Sequence, residues 1–359
     1  MSKAKTRFIC QECGAIHQKW VGRCDSCLGW NTIVEEVVNL KSTPNMISSF
    51  QGQGLEVHDL TEQPSIVMRK TTQIPELDRV LGGGLVSGSA LLIGGDPGIG
   101  KSTLLLQVVD KMSSQDEHCL YISGEESAEQ IKLRADRLGI RNPSVRLACG
   151  ILLRDMIAML SVSNPPSLVI IDSIQTIYHD EISSAPGTVT QVRSCAFELI
   201  QVAKKKNITL IFVGHVTKDG QLAGPKVLEH MVDAVLYFEG ENGNSFRIVR
   251  AVKNRFGAAG EIGVFEMSDA GLSEVMNPSS LFLSDRNSDV SGVSVFAGME
   301  GTRPILIEVQ ALIVPTFMAS PRRSAIGWDN NRLAMLIAVL NSRCGLNLLD
   351  KEVYLNFTG

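Results

Sequence analysis

The sequence predicts an α/β fold in which a mostly parallel sheet carries a phosphate-binding loop. A small four-cysteine metal unit precedes it, and the start of an α+β domain follows. Three observations predict this. From about residue 66, short β-branched or leucine-rich runs alternate with stretches of helical period, and strands alternating with helices build βαβ units. A glycine-rich turn ending in Gly100-Lys101-Ser102 lies between one such run and one such stretch. Four of the eight cysteines fall in two close pairs within the first 27 residues.

At about 150 residues per domain, 359 residues imply two to three domains. Hydrophobic residues make up 44% and charged residues 20%, which excludes wholesale disorder. With 34 basic against 38 acidic residues the net charge is −4, so any contact with nucleic acid rests on local basic clusters rather than a global field. No apolar run reaches membrane-spanning length, and no signal-peptide core follows the basic start. A cytoplasmic protein without a membrane partner is expected. In that compartment eight cysteines point to metal and buried thiols, not disulfides. Cys119, Cys149, Cys195 and Cys344 sit among apolar residues and read as core thiols.

The predicted units are a zinc finger at 1–36, a polar linker at 37–60, a nucleotide-binding domain at 61–274 and a partial domain at 275–359. Strands are expected at Ala90–Gly94, Leu120–Ser123, Val145–Ala148, Leu168–Asp172 and Ile208–Gly214, with helices over Lys101–Met112, Ala128–Leu138, Ile151–Leu160 and Val189–Lys205. Val235–Glu239, Ser245–Lys253 and Glu261–Met267 follow without helices between them, as an antiparallel extension of the sheet would. After Asn277-Pro278, Ile305–Ile313 reads as a half-buried strand with Glu308 and Gln310 facing away from Ile307 and Val309. Asn331–Leu340 reads as a helix. The chain stops soon after a last strand opens at Val353, so the final domain reads as one cut short.

Cys10-x2-Cys13-x10-Cys24-x2-Cys27 gives two knuckles whose four thiolates can hold one tetrahedral Zn²⁺. Gly14 and Gly29 allow the tight backbone after each pair. Four sulfurs leave no open position, so the zinc is structural, and His17 is not needed as a ligand. Gly95-Asp96-Pro97-Gly98-Ile99-Gly100-Lys101-Ser102 fits the phosphate-loop pattern in a strand–loop–helix setting. The amides through Thr103 would cradle phosphate oxygens of ATP at a helix N-terminus. Lys101 would reach the β- and γ-phosphates, while Ser102 and Asp172, at the end of an apolar strand, would enter the Mg²⁺ shell. Hydrolysis needs a group that orients water. Of the two carboxylates past the strand at Tyr121, Glu125 is assigned that role, and Glu126 reads as part of a helix start with Ser127.

At this point the residues resemble a family. Ile74-Pro75-Glu76-Leu77-Asp78-Arg79-Val80-Leu81-Gly82-Gly83-Gly84-Leu85 is similar to the lead-in of RecA-type ATPases. With the four-cysteine knuckle in front and Lys253-Asn254-Arg255-Phe256-Gly257 behind, the chain resembles the RadA (Sms) family of bacterial DNA-repair and recombination ATPases. The resemblance implies a zinc finger, a RecA-like motor and a Lon-protease-like domain, here partial. It implies that Lys253 and Arg255 act in trans on a neighbour's nucleotide and that His215 senses the γ-phosphate. It further implies that Lys218 and Lys226, in the loop after His215, contact DNA, with His179–Thr190 as a second DNA-facing loop. Lys204-Lys205-Lys206 reads instead as a solvated helix cap. The implied partners are single-stranded or branched DNA, the RecA recombinase and further copies of the chain in a hexameric ring.

The reading is therefore a DNA-dependent ATPase that promotes branch migration during recombinational repair. A replicative-type helicase is the nearest alternative within ATPases. From other classes come an ATP-dependent Lon-like protease and a nucleotide-gated DNA clamp without motor activity.

Overall fold

In the structure, a computed structural model, the described residues are 5–38, 68–115, 117–216, 222–223, 227–240, 245–279, 283, 291–318 and 320–358. They form two compact units, Met1–Glu274 and Val275–Gly359.

The first unit is built on a nine-stranded sheet. Six strands are parallel, in the order Ala234–Glu239, Ala90–Gly95, Thr209–Val213, Leu168–Asp172, Cys119–Ser123, Arg146–Cys149. Phe246–Asn254, Ile262–Ser268 and Gly271–Glu274 continue it antiparallel beyond Ala234–Glu239. The expected parallel core with an antiparallel extension is what the chain adopts.

The near-continuous apolar runs follow from burial on both sheet faces. Successive side chains of a strand point to opposite faces. Leu91 and Ile93 thus join Leu168, Ile170, Ile211 and Val213 under the helices Pro75–Leu81 and Lys101–Ser113. Ala90 and Leu92 join Val169, Ile171, Leu210 and Phe212 under the helices Leu153–Leu160 and Val189–Lys206. Burying each large aliphatic side chain contributes about 1.5–3 kcal/mol, and the charged residues of the parallel strands, Arg146, Asp172 and Glu239, stand at strand ends.

A separate three-stranded antiparallel sheet, Ile16–His17, Lys5–Cys10, Ile33–Val38, carries the cysteine knuckles. The second unit has a four-stranded sheet in the order Val293–Glu300, Arg303–Pro315, Lys351–Thr358, Arg323–Ile326. The helix Asn330–Arg343 packs on it through Leu333 and Ile337. Asp329 caps that helix by accepting from the Arg332 amide at 2.9 Å. The last strand is longer than the sequence suggested and is hydrogen-bonded on both sides.

Several expectations are corrected. Cys119 and Cys195 are buried, but Cys149 and Cys344 are exposed, because one ends the sheet's edge strand and the other caps a surface helix. Glu308 is buried and accepts from Gln310 at 2.8 Å, so the partial alternation that put it on the polar face fails at that residue. Lys204, Lys205 and Lys206 do stand in the last turn of their helix, but Lys206 also donates to the carbonyls of Ser161 and Val162, just past the Leu153–Leu160 helix. Among the described residues no helix is long and apolar enough to cross a membrane.

Candidate functional site

The strand Ala90–Gly95 leads directly into the phosphate loop, and the helix Lys101–Ser113 begins directly after it. Gly95 has φ +154°, and a Cβ there would stand 2.7 Å from the Phe238 carbonyl oxygen. Gly100 is the helix N-cap in the left-handed region (φ +119°) and offers no side-chain cap. The first-turn amides are therefore left to an anion. The Lys101 ammonium, nearly fully buried, donates to the carbonyls of Gly95 at 2.6 Å and Asp96 at 2.7 Å, folding the loop over itself. Burial lowers its pKa, against the upward pull of Asp172, Asp96 and Glu125.

Asp172 stands at the carboxyl end of its strand, one strand removed from the loop strand. The Ser102 hydroxyl donates to its Oδ2 at 2.6 Å, and the Tyr121 hydroxyl donates to the same oxygen at 2.5 Å. The Asp172–Ser173 peptide bond is cis. Ser123 pairs with Asp172 across the ladder, and the chain turns there, its hydroxyl accepting from the Glu126 amide at 2.9 Å. This turn brings Glu125 to Ser173, whose hydroxyl donates to Oε1 of the carboxylate. Glu126 pairs with Arg134 at 2.5 Å, and Ser127 caps the helix Ala128–Arg137 in a reciprocal capping box with Gln130.

Lys101, Ser102, Glu125 and Asp172 share one cavity of about 380 Å³. Its lining also includes two residues that sequence reading missed, Arg134 and Arg137. Their signal was two arginines one turn apart on the helix Ala128–Arg137, a spacing that any solvated helix face also shows. The residue set fits a Mg²⁺–nucleotide: an unfilled helix N-terminus, an ammonium, and a hydroxyl–carboxylate pair already in contact.

Other site expectations fall elsewhere. Ala234 pairs with both Leu91 and Asn254, whereas Phe238 pairs with Gly95. Asn254, between Lys253 and Arg255, thus lies at the opposite end of the strands from the loop of its own subunit, about 13 Å along the strand direction at about 3.3 Å per residue. Lys253 donates to the carbonyls of Glu229 (2.7 Å) and Val232 (2.8 Å), and Arg255 pairs with Asp233 at 3.0 Å. The backbone of His215 starts a short strand that pairs antiparallel with Leu222–Ala223. The His215 side chain, Lys218 and Lys226 lie outside the described residues. His179 pairs with Glu198 at 3.0 Å.

In the cysteine unit the sulfurs of Cys10, Cys13, Cys24 and Cys27 all lie within 4.8 Å of one another. A tetrahedral zinc with bonds of about 2.3 Å needs sulfurs about 3.8 Å apart, and the pairs Cys10–Cys27 and Cys13–Cys24 stand at 3.6 and 3.5 Å. The donor set fits zinc in a closed site. The two knuckles repeat one turn: the Gly14 amide donates to Cys10 and the Leu28 amide to Cys24, each at 2.9 Å. Gly14 takes φ +73°, but in the second knuckle the left-handed residue is Leu28 (φ +64°), not Gly29. His17 stays outside the sulfur set, with Nε2 3.5 Å from the Cys24 sulfur.

Fold and site together define an ATPase of the phosphate-loop α/β class with an appended zinc ribbon. Residues 58–221 match the AAA domain family and residues 8–35 the rubredoxin metal binding domain family. The whole chain is 55% identical to the DNA repair protein RadA of Brucella abortus, covering 78% of it, and 52% identical to that of Bacillus subtilis, covering 79%. Against the Rickettsia bellii protein of the same name it is 56% identical over 80% of that protein's length. The chain belongs to the RadA family.

Proposed function

We propose that this chain is a DNA-dependent ATPase of recombinational DNA repair that assembles as a ring on single-stranded or branched DNA and works with the RecA recombinase to extend recombination joints. One observation carries the ATPase reading: Lys101, Ser102, Asp172 and Glu125 converge on one cavity at the carboxyl edge of the sheet. In this reading Glu125, oriented by Ser173, takes the proton of the attacking water, and Lys101 leaves the loop carbonyls to meet charge developing on the γ-phosphate. Ser102 and Asp172 would hold Mg²⁺, which would supply charge neutralisation on the phosphates when bound.

The position of Lys253 and Arg255, at the opposite end of the strands from the phosphate loop of their own subunit, supports the reading that they act in trans. Cations delivered across an interface make turnover depend on assembly. DNA as the partner is supported by the names of the relatives, each a DNA repair protein. Lys218 and Lys226 are proposed to contact its phosphates and His215 to report the γ-phosphate state.

The test is steady-state ATP hydrolysis by the purified chain, with and without single-stranded DNA, over a range of protein concentrations. Stimulation that grows with protein concentration is expected. Nucleotide binding with no stimulation at any concentration would replace the motor with the clamp reading.

A further inference from the structure

Asp233 is buried, yet nothing in the proposed chemistry uses it. Its Oδ2 accepts from the Ala90 amide at 3.0 Å, at the start of the strand that ends in the phosphate loop. Its Oδ1 accepts from Nη1 of Arg255 at 3.0 Å, and the Lys204 ammonium stands 3.7 Å from the same oxygen. The main chain repeats the link: the Arg255 amide donates to the Asp233 carbonyl at 3.0 Å, and the Asp233 amide to the Ala90 carbonyl at 2.8 Å. A buried carboxylate with this many fixed partners is a rigid anchor, since losing one partner would leave a charge uncompensated. The Arg255 side chain it holds is itself more than half exposed (54%).

The same segment holds the other cation. Lys253 donates to the carbonyls of Glu229 and Val232, on and just after the short helix Val227–Met231. Burial, and then the neighbouring Arg255 charge, lower the Lys253 pKa, while Asp233 and Glu229 act against that fall. Residues 229–233 therefore grip both cations of the 253–257 turn by three oxygens.

The geometry points to Asp233 as a positioning residue: it fixes one Nη of the Arg255 guanidinium so that the remaining donors are presented to a nucleotide bound on a neighbouring copy of the chain, with Glu229 and Val232 holding Lys253 in register. The inference rests on the trans reading above. Its physical basis is that a guanidinium carries its donors in a fixed plane, so a carboxylate bonded to one Nη, with the Arg255 amide tied to the same residue, limits the directions in which the remaining donors can point. Pre-setting that direction removes reorganisation when the neighbour's phosphoryl group passes through its transition state.

The experiment is DNA-stimulated ATP hydrolysis by the full chain, wild type against Asp233→Asn, Arg255→Ala and the double variant. Asparagine keeps an acceptor for the Ala90 amide. Asp233→Asn is expected to lower kcat about tenfold with KM for ATP unchanged, and the double variant to be no slower than Arg255→Ala alone. Arg255→Lys, which keeps the charge but not the planar fork, is expected to lose at least as much as Asp233→Asn, and it stays informative if Asp233→Asn does not fold. Wild-type turnover by Arg255→Ala would overturn the trans reading itself. An impaired Arg255→Ala beside a full-speed Asp233→Asn or Arg255→Lys, or effects that multiply in the double variant, would overturn the positioning role alone.

Discussion

The Tyr121 hydroxyl and the Ser102 hydroxyl converge on a single oxygen, Oδ2 of Asp172, at 2.5 and 2.6 Å. Ser102 comes from the helix after the phosphate loop and Tyr121 from a buried strand, so the carboxylate is fixed from both sides. The pKa of the Tyr121 phenol is raised well above its ordinary value, by burial first and then by Asp172, and it remains a donor throughout the working pH range. Tyr121→Phe removes one of the two donors. The magnesium concentration for half-maximal ATP hydrolysis is expected to rise about tenfold, as for other groups that orient metal-binding carboxylates. A magnesium titration of turnover checks this, and an unchanged midpoint would mean Ser102 alone sets the carboxylate.

Zinc binding by the ribbon is expected to strengthen as pH rises. In the metal-free ribbon burial raises the pKa of the Cys13 and Cys27 thiols. Burial also disfavours the Cys10 thiolate, but bonds from Thr32 and from the amides of Cys13 and Glu12 outweigh it and bring its pKa down to about 7. The metal takes thiolates only, so it must displace the protons of at least Cys13 and Cys27 at neutral pH. At least two displaced protons make the apparent Kd fall at least about a hundredfold per pH unit. Competition with a chromophoric chelator from about pH 6 to about pH 8 measures the slope. A flat profile would show thiols already ionised.

The parallel sheet was legible in the sequence because doubly buried strands must be apolar throughout, and Leu168–Ile171 and Ala90–Ile93 declare themselves without reference to anything distant. The phosphate loop was legible for a similar reason, since its chemistry is local. Tyr121, Ser173 and Asp233 were not. Each acts through a partner 22 to 51 residues away, Asp172, Glu125 and Arg255 respectively, and that proximity exists only once the strands are ordered. Leu28 escaped for the opposite reason. Glycine is the ordinary marker of a left-handed turn, and here a leucine bears the strain of about 1–2 kcal/mol because the knuckle fixes its neighbours. Glu308 shows the limit of reading alternation, since Gln310 supplies its partner and makes a buried carboxylate tolerable.

Acid is expected to remove a small increment of stability at the Lys70–Glu117 pair, whose atoms are 2.6 Å apart. Burial raises the Glu117 pKa, but the bonds from Lys70 and Ser167 lower it further, so the folded value lies below the unfolded one. A depressed carboxylate stabilises fully above its unfolded pKa of about 4.3, and the increment is lost as pH falls through the folded value. Both side chains are about a quarter exposed (27%), so solvent screening holds the effect to at most about 1 kcal/mol. Urea unfolding of Lys70→Met against wild type, at neutral pH and below about pH 4, should show a gap that closes in acid.

Ser173 is fully buried and donates to Oε1 of Glu125, which separates the group that would take the water's proton from the group that aims it. Glu125→Gln keeps the shape and the acceptor oxygen but removes the base. Turnover is expected to fall by about 10² to 10⁴, with nucleotide binding retained because Lys101, the loop amides and Asp172 are untouched. Ser173→Ala leaves the base and removes its orientation, so a loss in kcat of about tenfold is expected with KM unchanged. Combining them should cost no more than Glu125→Gln alone, because without a base there is nothing left to aim. Single-turnover hydrolysis of prebound ATP distinguishes these outcomes from a defect in binding. If Ser173→Ala slowed turnover only by raising KM, Ser173 would be shaping the pocket rather than holding Glu125. If Glu125→Gln hydrolysed ATP at the wild-type rate, the base would have to be sought elsewhere on the cavity wall, with Glu126 next in place but already engaged by Arg134.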